Sequence, residues 1–131
     1  MRIFVGIFFI MHALVHLLYV GLALRFFELR PGLTWPDGAW AFSRLFGDPA
    51  ARWLAAVSLA LAALGFVIAG IGLLLRQEWW PPITTGAALL STLIFFLFWD
   101  AKFPALPDKG GVGLLINLAI LVITMLFKLP R

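Results

Sequence analysis

Apolar residues occur along this chain in four long runs, each about as long as a bilayer-crossing helix, and the polar and charged residues collect between them. The runs cover about residues 3–27, 51–75, 82–99 and 112–127. At a rise of ~1.5 Å per residue, about 20 residues span the ~30 Å hydrocarbon core. The pattern therefore predicts an all-α integral membrane protein, a four-transmembrane-helix bundle forming a single membrane domain over residues 1–131.

The breaks carry their own signals. Arg25, Glu28 and Arg30 close the first run, and Pro31-Gly32 stop the helix by removing a donor and freeing the backbone. The connection that follows mixes Trp35, Trp40, Phe42 and Phe46 with Asp37, Arg44 and Asp48, which suits the headgroup region where indole rings settle. Asp37 is expected to N-cap a short interfacial helix within about residues 37–47, with Gly47 as its C-cap. Asp48 is expected to cap the second run, with Pro49 in its first turn.

The second run is rich in small residues. The pairs Ala56/Ala60 and Gly65/Ala69 predict the most closely packed helix and a route to a homo-oligomer. "RQEWWPP" turns the chain at an interface, with Pro82 at the start of the third run, and "AKFPALPDKGGVG" makes the last turn. Within that turn, "KGGVG" lacks both the preceding strand and the Lys-Ser/Thr end of a phosphate loop, so it reads as a turn. The run behind Arg2 is longer than a signal h-region, so the first helix is expected to be retained.

Composition sharpens the class. The chain is 63% hydrophobic and 12% charged, with a mean hydropathy of +1.05. Ordinary soluble domains carry about 25% charge, so the composition argues against a water-soluble fold. A net charge of +4 would suggest nucleic acid in a polar protein, but here the Lys and Arg residues flank the apolar runs and form no basic face. They read as lipid-headgroup anchors, so the expected partner is the bilayer, with a membrane protein or a second copy beside it and no nucleic acid. With no cysteine, thiolate metal sites, iron–sulfur clusters and dithiol relays are excluded. Arg2, Arg76, Lys128 and Arg131 lie on one side, and Arg25, Arg30, Arg44, Arg52, Lys102 and Lys109 on the other, a balance that leans to a cytoplasmic long loop.

One feature does not belong to lipid-facing helices. His12 and His16, with Tyr19, share a face of the first helix, because offsets of 4 and 7 return to nearly the same azimuth. Counting from the long-loop side, His16 lies roughly 16 Å deep and Tyr19 roughly 12 Å. Asn117, Ser91, Thr92 and Ser58 fall at roughly 8 to 12 Å, and Thr124 comes level with His12 at roughly 20 Å. The count predicts a polar layer in which His16, Tyr19, Asn117 and a hydroxyl meet, with Glu28 and Asp100 at its mouth.

Two readings of that layer compete. Polar side chains between membrane helices act as glue, and Ser or Thr often return a bond to their own helix. An imidazole at mid-membrane instead marks a path or a ligand. An i,i+4 His pair is half of a metal site, but no carboxylate lies at its depth, so no metal is expected. A haem cannot use both rings, since axial ligands approach from opposite faces, although one His can serve as a fifth ligand. No catalytic set of nucleophile, base and acid is present. His12, His16, Tyr19, Asn117, Ser91 and Thr92 are therefore the expected cofactor-binding residues, for a quinone, a haem or another hydrophobic ligand.

The opening "RIFVGIFFIMHALVHLLY", Arg2 to Tyr19, resembles that of the DoxX-like small four-helix membrane proteins: an Arg, a first helix with a Gly, then a short polar break. The second His and the Trp-rich first loop with "WPDGAW" depart from that pattern. The resemblance implies a prokaryotic inner-membrane protein, sometimes associated with oxidoreductase partners or quinone metabolism. The expected function is that of a small multi-pass cell-membrane protein, non-catalytic or an accessory subunit, that binds a hydrophobic cofactor, quinone or lipid in its interior. The alternative is a membrane redox or proton-coupled transport protein using the His12/His16 pair.

Overall fold

The computed structural model describes residues 1–29, 31–103 and 106–128; expectations for Arg30, the Lys128 side chain, Pro130 and Arg131 fall outside them. The elements are α1 (Arg2–Ala23), α2 (Phe42–Phe46), α3 (Asp48–Leu74), α4 (Trp80–Leu97), a 3-10 turn (Leu106–Lys109) and α5 (Gly111–Lys128). No strand occurs among the described residues. Three helices, α1, α3 and α4, are long and apolar enough to cross a membrane, whereas the apolar part of α5, Gly111–Leu126, is shorter.

Helices pack in chain order, α1 on α3, α3 on α4 and α4 on α5. Small residues make the first of these contacts close. A Cβ on Gly70 would lie 2.8 Å from the Gly6 carbonyl oxygen, so α1 and α3 cross backbone to backbone there. On α3, Ala51, Ala55, Ala62 and Ala69 are fully buried, while Trp53, Leu54, Val57, Leu61, Leu64 and Ile68 face outward. The pair Ala56/Ala60 is split, with Ala56 inside and Ala60 exposed, and Gly65 lies against Ala87 of α4. The small-residue stripe is thus used largely within the chain.

Several boundaries differ from the sequence reading, each for a local reason. α1 ends at Ala23, four residues early, because Arg25 adopts φ 64° and the chain closes with Arg25 N–H to Leu22 O and Phe26 N–H to Gly21 O. This is a Schellman closure with arginine where glycine is usual. α3 closes the same way at Arg76, φ 59°, with Gln77 N–H on Gly72 O. α2 has only five residues and begins at Phe42, because Asp37 is held in ion pairs and its own N–H closes a turn on Thr34 O. Asp48 makes no side-chain cap; its carboxylate accepts from Gly38 N–H at 3.0 Å and so pins the loop to the start of α3. α4 begins at Trp80, which places Pro81 and Pro82 in its first turn, where a missing N–H costs nothing.

Candidate functional site

The interior of α1 is set by one stripe. Val5, Phe9, His12, Ala13, His16 and Tyr19 are buried, and Phe4, Ile7, Met11, Leu14 and Leu18 between them are exposed. His12 and His16 therefore enter the bundle together, and α4 and α5 supply their partners. His12 Nε2 lies 2.9 Å from Asn117 Oδ1, Asn117 Nδ2 lies 2.9 Å from Ser91 Oγ, and Ser91 Oγ lies 2.5 Å from His16 Nε2. His16 Nδ1 completes the set at 2.9 Å from the His12 carbonyl oxygen.

With both imidazoles neutral, hydrogen-bond logic sets the direction of every bond. A carbonyl only accepts, so His16 Nδ1–H donates to His12 O, and the neutral ring must accept at Nε2. Ser91 supplies that proton, and its oxygen accepts from the Asn117 amide N–H. Asn117 Oδ1 then accepts from His12 Nε2–H. The result is a one-way circuit, His12 to Asn117 to Ser91 to His16 and back to the His12 main chain. Thr92 stands at its edge, accepting a longer 3.3 Å bond from Asn117 Nδ2 and donating to Ala88 O of its own helix. Both His16 nitrogens are occupied. His12 Nδ1, by contrast, is buried with no partner among the described residues.

Aromatic rings enclose the circuit. Phe66 of α3 packs edge-on against His12 at 4.8 Å and tilted against His16 at 5.1 Å. Phe95 covers His16 from the long-loop side, and Phe8 stacks on His12 with its ring 7° from parallel. His16, Ser91 and Asn117 have no exposed surface, and His12 retains 3%.

Tyr19 shares the α1 face but does not join the circuit. Its hydroxyl donates to Asp108 O at 2.6 Å, and Phe95 lies against both Tyr19 and His16. Two departures bring Asn117 to His12, which the depth count placed roughly 8 to 12 Å deeper: α1 ends four residues early, which removes roughly 6 Å, and Tyr19 bonds the turn before α5. The 3-10 turn dips beside Tyr19, so α5 starts inside the bundle end and Asn117 is carried down to His12. Gly110 makes the dip possible: it holds φ 104°, and a Cβ there would run into the Phe95 ring. Thr124 and Thr84 return bonds to Ile120 O and Trp80 O of their own helices, and Ser58 is half-buried.

The mouth is closed. Trp35, expected among headgroups, is 3% exposed and packs on Tyr19, Phe95 and Phe98. Arg25 staples its loop through Nη1 to Trp35 O and Nη2 to Thr34 O, and pairs with Asp37 at 2.6 Å. Arg52 of α3 binds the other Asp37 oxygen at 3.0 Å. Asp100 pairs with Lys109 at 2.8 Å, while Glu28 is exposed in the loop after α1. The Arg25–Asp37–Arg52 clamp is absent from the sequence reading; opposite charges 12 and 15 residues apart across a loop have no periodicity that would pair them. Among the described residues no group of three His, Cys, Asp or Glu side chains is arranged to hold a metal. Comparison with protein-family models, curated proteins and solved structures finds no match to this chain.

Proposed function

We propose that this chain is a non-catalytic integral membrane protein of four spans, serving as an accessory or scaffold subunit, in which the histidine circuit locks α1 to α4 and α5. The observation that carries the reading is the apolar exterior of the helices. Large apolar residues such as Phe4, Met11, Leu61, Leu93 and Met125 are exposed along them, whereas the polar side chains His12, His16, Ser91 and Asn117 lie inside among Phe9, Phe66 and Ile120. Water would penalise such an exterior, and lipid would not. Trp53 and Trp99 at the long-loop end and Trp79 at the other provide aromatic groups for both interfaces, while Trp80 packs into the core on Phe9. With ~1.5 Å per residue, the apolar part of α5, Gly111–Leu126, reaches about 24 Å, so a fourth span requires the bilayer to thin locally around it. On the Arg2–Tyr19 opening we extend the proposal to a DoxX-like protein of a prokaryotic inner membrane.

Topology tests the span count. The chain contains no cysteine, so single cysteines report cleanly. In sealed vesicles, Gln77→Cys and a C-terminal tag share a side with the N-terminus if there are four spans, and Phe103→Cys lies opposite. A tag on the side of Phe103→Cys would mean that α5 does not cross.

A second reading is favoured by one atom. The unpartnered His12 Nδ1 presents a lone pair, which suits the hydroxyl of an apolar donor such as a quinol, or a haem iron; a quinone carbonyl, itself an acceptor, finds no proton there. Under this reading His12 and not His16 holds the ligand. Visible spectra and mass spectrometry of solvent extracts, run on the wild type beside His12→Phe and His16→Phe, test it: a ligand missing from His12→Phe alone supports it, and identical extracts from all three leave the circuit as a lock. Proton-coupled transport has less support, since the circuit ends at the His12 carbonyl and Phe95 stands between His16 and Tyr19.

A further inference from the structure

At the long-loop end, where α1 stops and α3 begins, a half-open cleft of about 170 Å³ is lined by Ala23, Leu24, Phe26, Pro49, Arg52 and Trp53. Arg52 is the one charged residue among them. It shares Asp37 with Arg25, but the two arginines are bonded differently. Arg25 is committed through both Nη groups to Trp35 O, Thr34 O and Asp37. Arg52 is held through Nε alone, and among the described residues its two Nη groups carry no bond. Asp37 thus fixes the Arg52 guanidinium while leaving the donor pair of its fork open, the half that recognises phosphate oxygens. Asp48, the other carboxylate nearby, accepts from Gly38 N–H and does not line the cleft, although its charge acts on Arg52 as well as Arg25.

The remaining walls are apolar and largely uncovered. Phe26 is 77% exposed and Trp53 64% exposed, two large rings flanking the guanidinium at the level where the helices end. A free inorganic anion would use the cation and leave the rings idle; an amphiphile would use both.

We propose that this cleft seats the phosphate of an anionic membrane lipid on the Nη groups of Arg52, with the top of an acyl chain lying along Leu24, Phe26 and Trp53. The site rests on the membrane reading above and goes beyond it, because general headgroup anchoring has no preference for one position. One open guanidinium at an interface gives about a fivefold selectivity for a net anionic headgroup, from about 1 kcal/mol per basic residue.

The test is lipid binding to the full chain purified in mild detergent, read by native mass spectrometry with phosphatidylglycerol, phosphatidylcholine and inorganic phosphate as probes. The expected result is about fivefold tighter binding of phosphatidylglycerol than of phosphatidylcholine, and no binding of phosphate ion at lipid-equivalent concentration. Arg52→Gln removes the preference. Trp53→Ala, at an exposed position that does not threaten folding, weakens both lipids together. Asp37→Asn keeps the preference, since it frees Arg52 further. Equal binding of both lipids by the wild type, phosphate ion binding as well as phosphatidylglycerol, or loss of preference in Asp37→Asn equal to that in Arg52→Gln would each overturn the site. Flotation with vesicles separates the two levels: a chain that floats but shows no anionic preference refutes the cleft alone, and a chain that stays in the aqueous fraction refutes the membrane reading and the cleft with it.

Discussion

The His12–Asn117–Ser91–His16 circuit and the Arg25–Asp37–Arg52 clamp both tie distant segments together with polar bonds, yet they face opposite environments. The circuit joins three helices where its side chains are at most 3% exposed, and each of its donors bonds inside the protein. The clamp uses full charges over similar distances, 2.6 and 3.0 Å, but its side chains are 25–32% exposed. Inside, the alternative to a lost bond is an unsatisfied group in a low-dielectric medium; at the rim the alternative is water. The weaker-looking neutral bonds are therefore expected to matter more to stability than the ion pairs.

The largest effect should come from Asn117→Leu. It removes the acceptor of His12 Nε2–H and the donor to Ser91 at once, leaving at least one buried N–H unpaired. At about 1–3 kcal/mol for each orphaned group, a loss of about 3 kcal/mol is expected in equilibrium unfolding from detergent micelles. A loss near the ~0.6 kcal/mol average for polar contacts between membrane helices would place the circuit with ordinary glue and erase the contrast.

Gly110→Ala should come next, because it strikes the joint between the two regions. The added Cβ meets Phe95, which is itself 2% exposed and wedged between His16 and Tyr19. Overpacking costs about 1–3 kcal/mol, and relief requires the 3-10 turn to rise. The Tyr19–Asp108 bond should then lengthen, and Tyr19 fluorescence quenching by Trp35 should fall with it. Unchanged stability and quenching would mean that the turn moves freely and does not set the register of α5.

How much of this was legible in the sequence follows from the range of each interaction. Four helical runs, the buried face of α1 and the presence of a polar layer all rest on periodicity and length, which are local properties, and the structure places helices over each run. Which polar group meets which partner depends on the relative heights of helices. The early end of α1 at Ala23 and the Tyr19 bond to Asp108 in the turn before α5 together set Asn117 level with His12. The Trp35 plug was read as a headgroup residue because composition alone treats all tryptophans near a helix end alike; its inward position goes with long-range contacts, the Arg25 bond to its main chain and the packing of its ring on Tyr19, Phe95 and Phe98. Span edges moved where an arginine took a left-handed conformation, which no propensity for arginine would suggest.

Ser91→Ala should cost less than Asn117→Leu. His16 Nε2 loses its donor, but the Asn117 amide can shift to Thr92 Oγ1, already at 3.3 Å, so about 1–2 kcal/mol is expected. Combining the two substitutions sharpens the comparison, because members of one circuit must be non-additive. The double variant should lose less than the sum of the single variants by about 0.5–3 kcal/mol, and strict additivity would break the circuit into independent pairs.

The smallest effect belongs to Asp37→Asn. It takes the shared carboxylate from both arginines, but Arg25 keeps the carbonyls of Trp35 and Thr34, and Arg52 turns to water or headgroups. Partly exposed pairs are worth about 0–1 kcal/mol, so a loss below about 1 kcal/mol is expected. Its signature is the salt response. Near 1 M salt the Debye length falls to about 3 Å, and the difference between wild type and Asp37→Asn should shrink towards zero, while the Asn117→Leu deficit stays constant because the circuit holds no net charge and admits no ions. A salt-insensitive Asp37→Asn deficit as large as that of Asn117→Leu would show that the loop clamp, not the buried circuit, governs how the helices hold together.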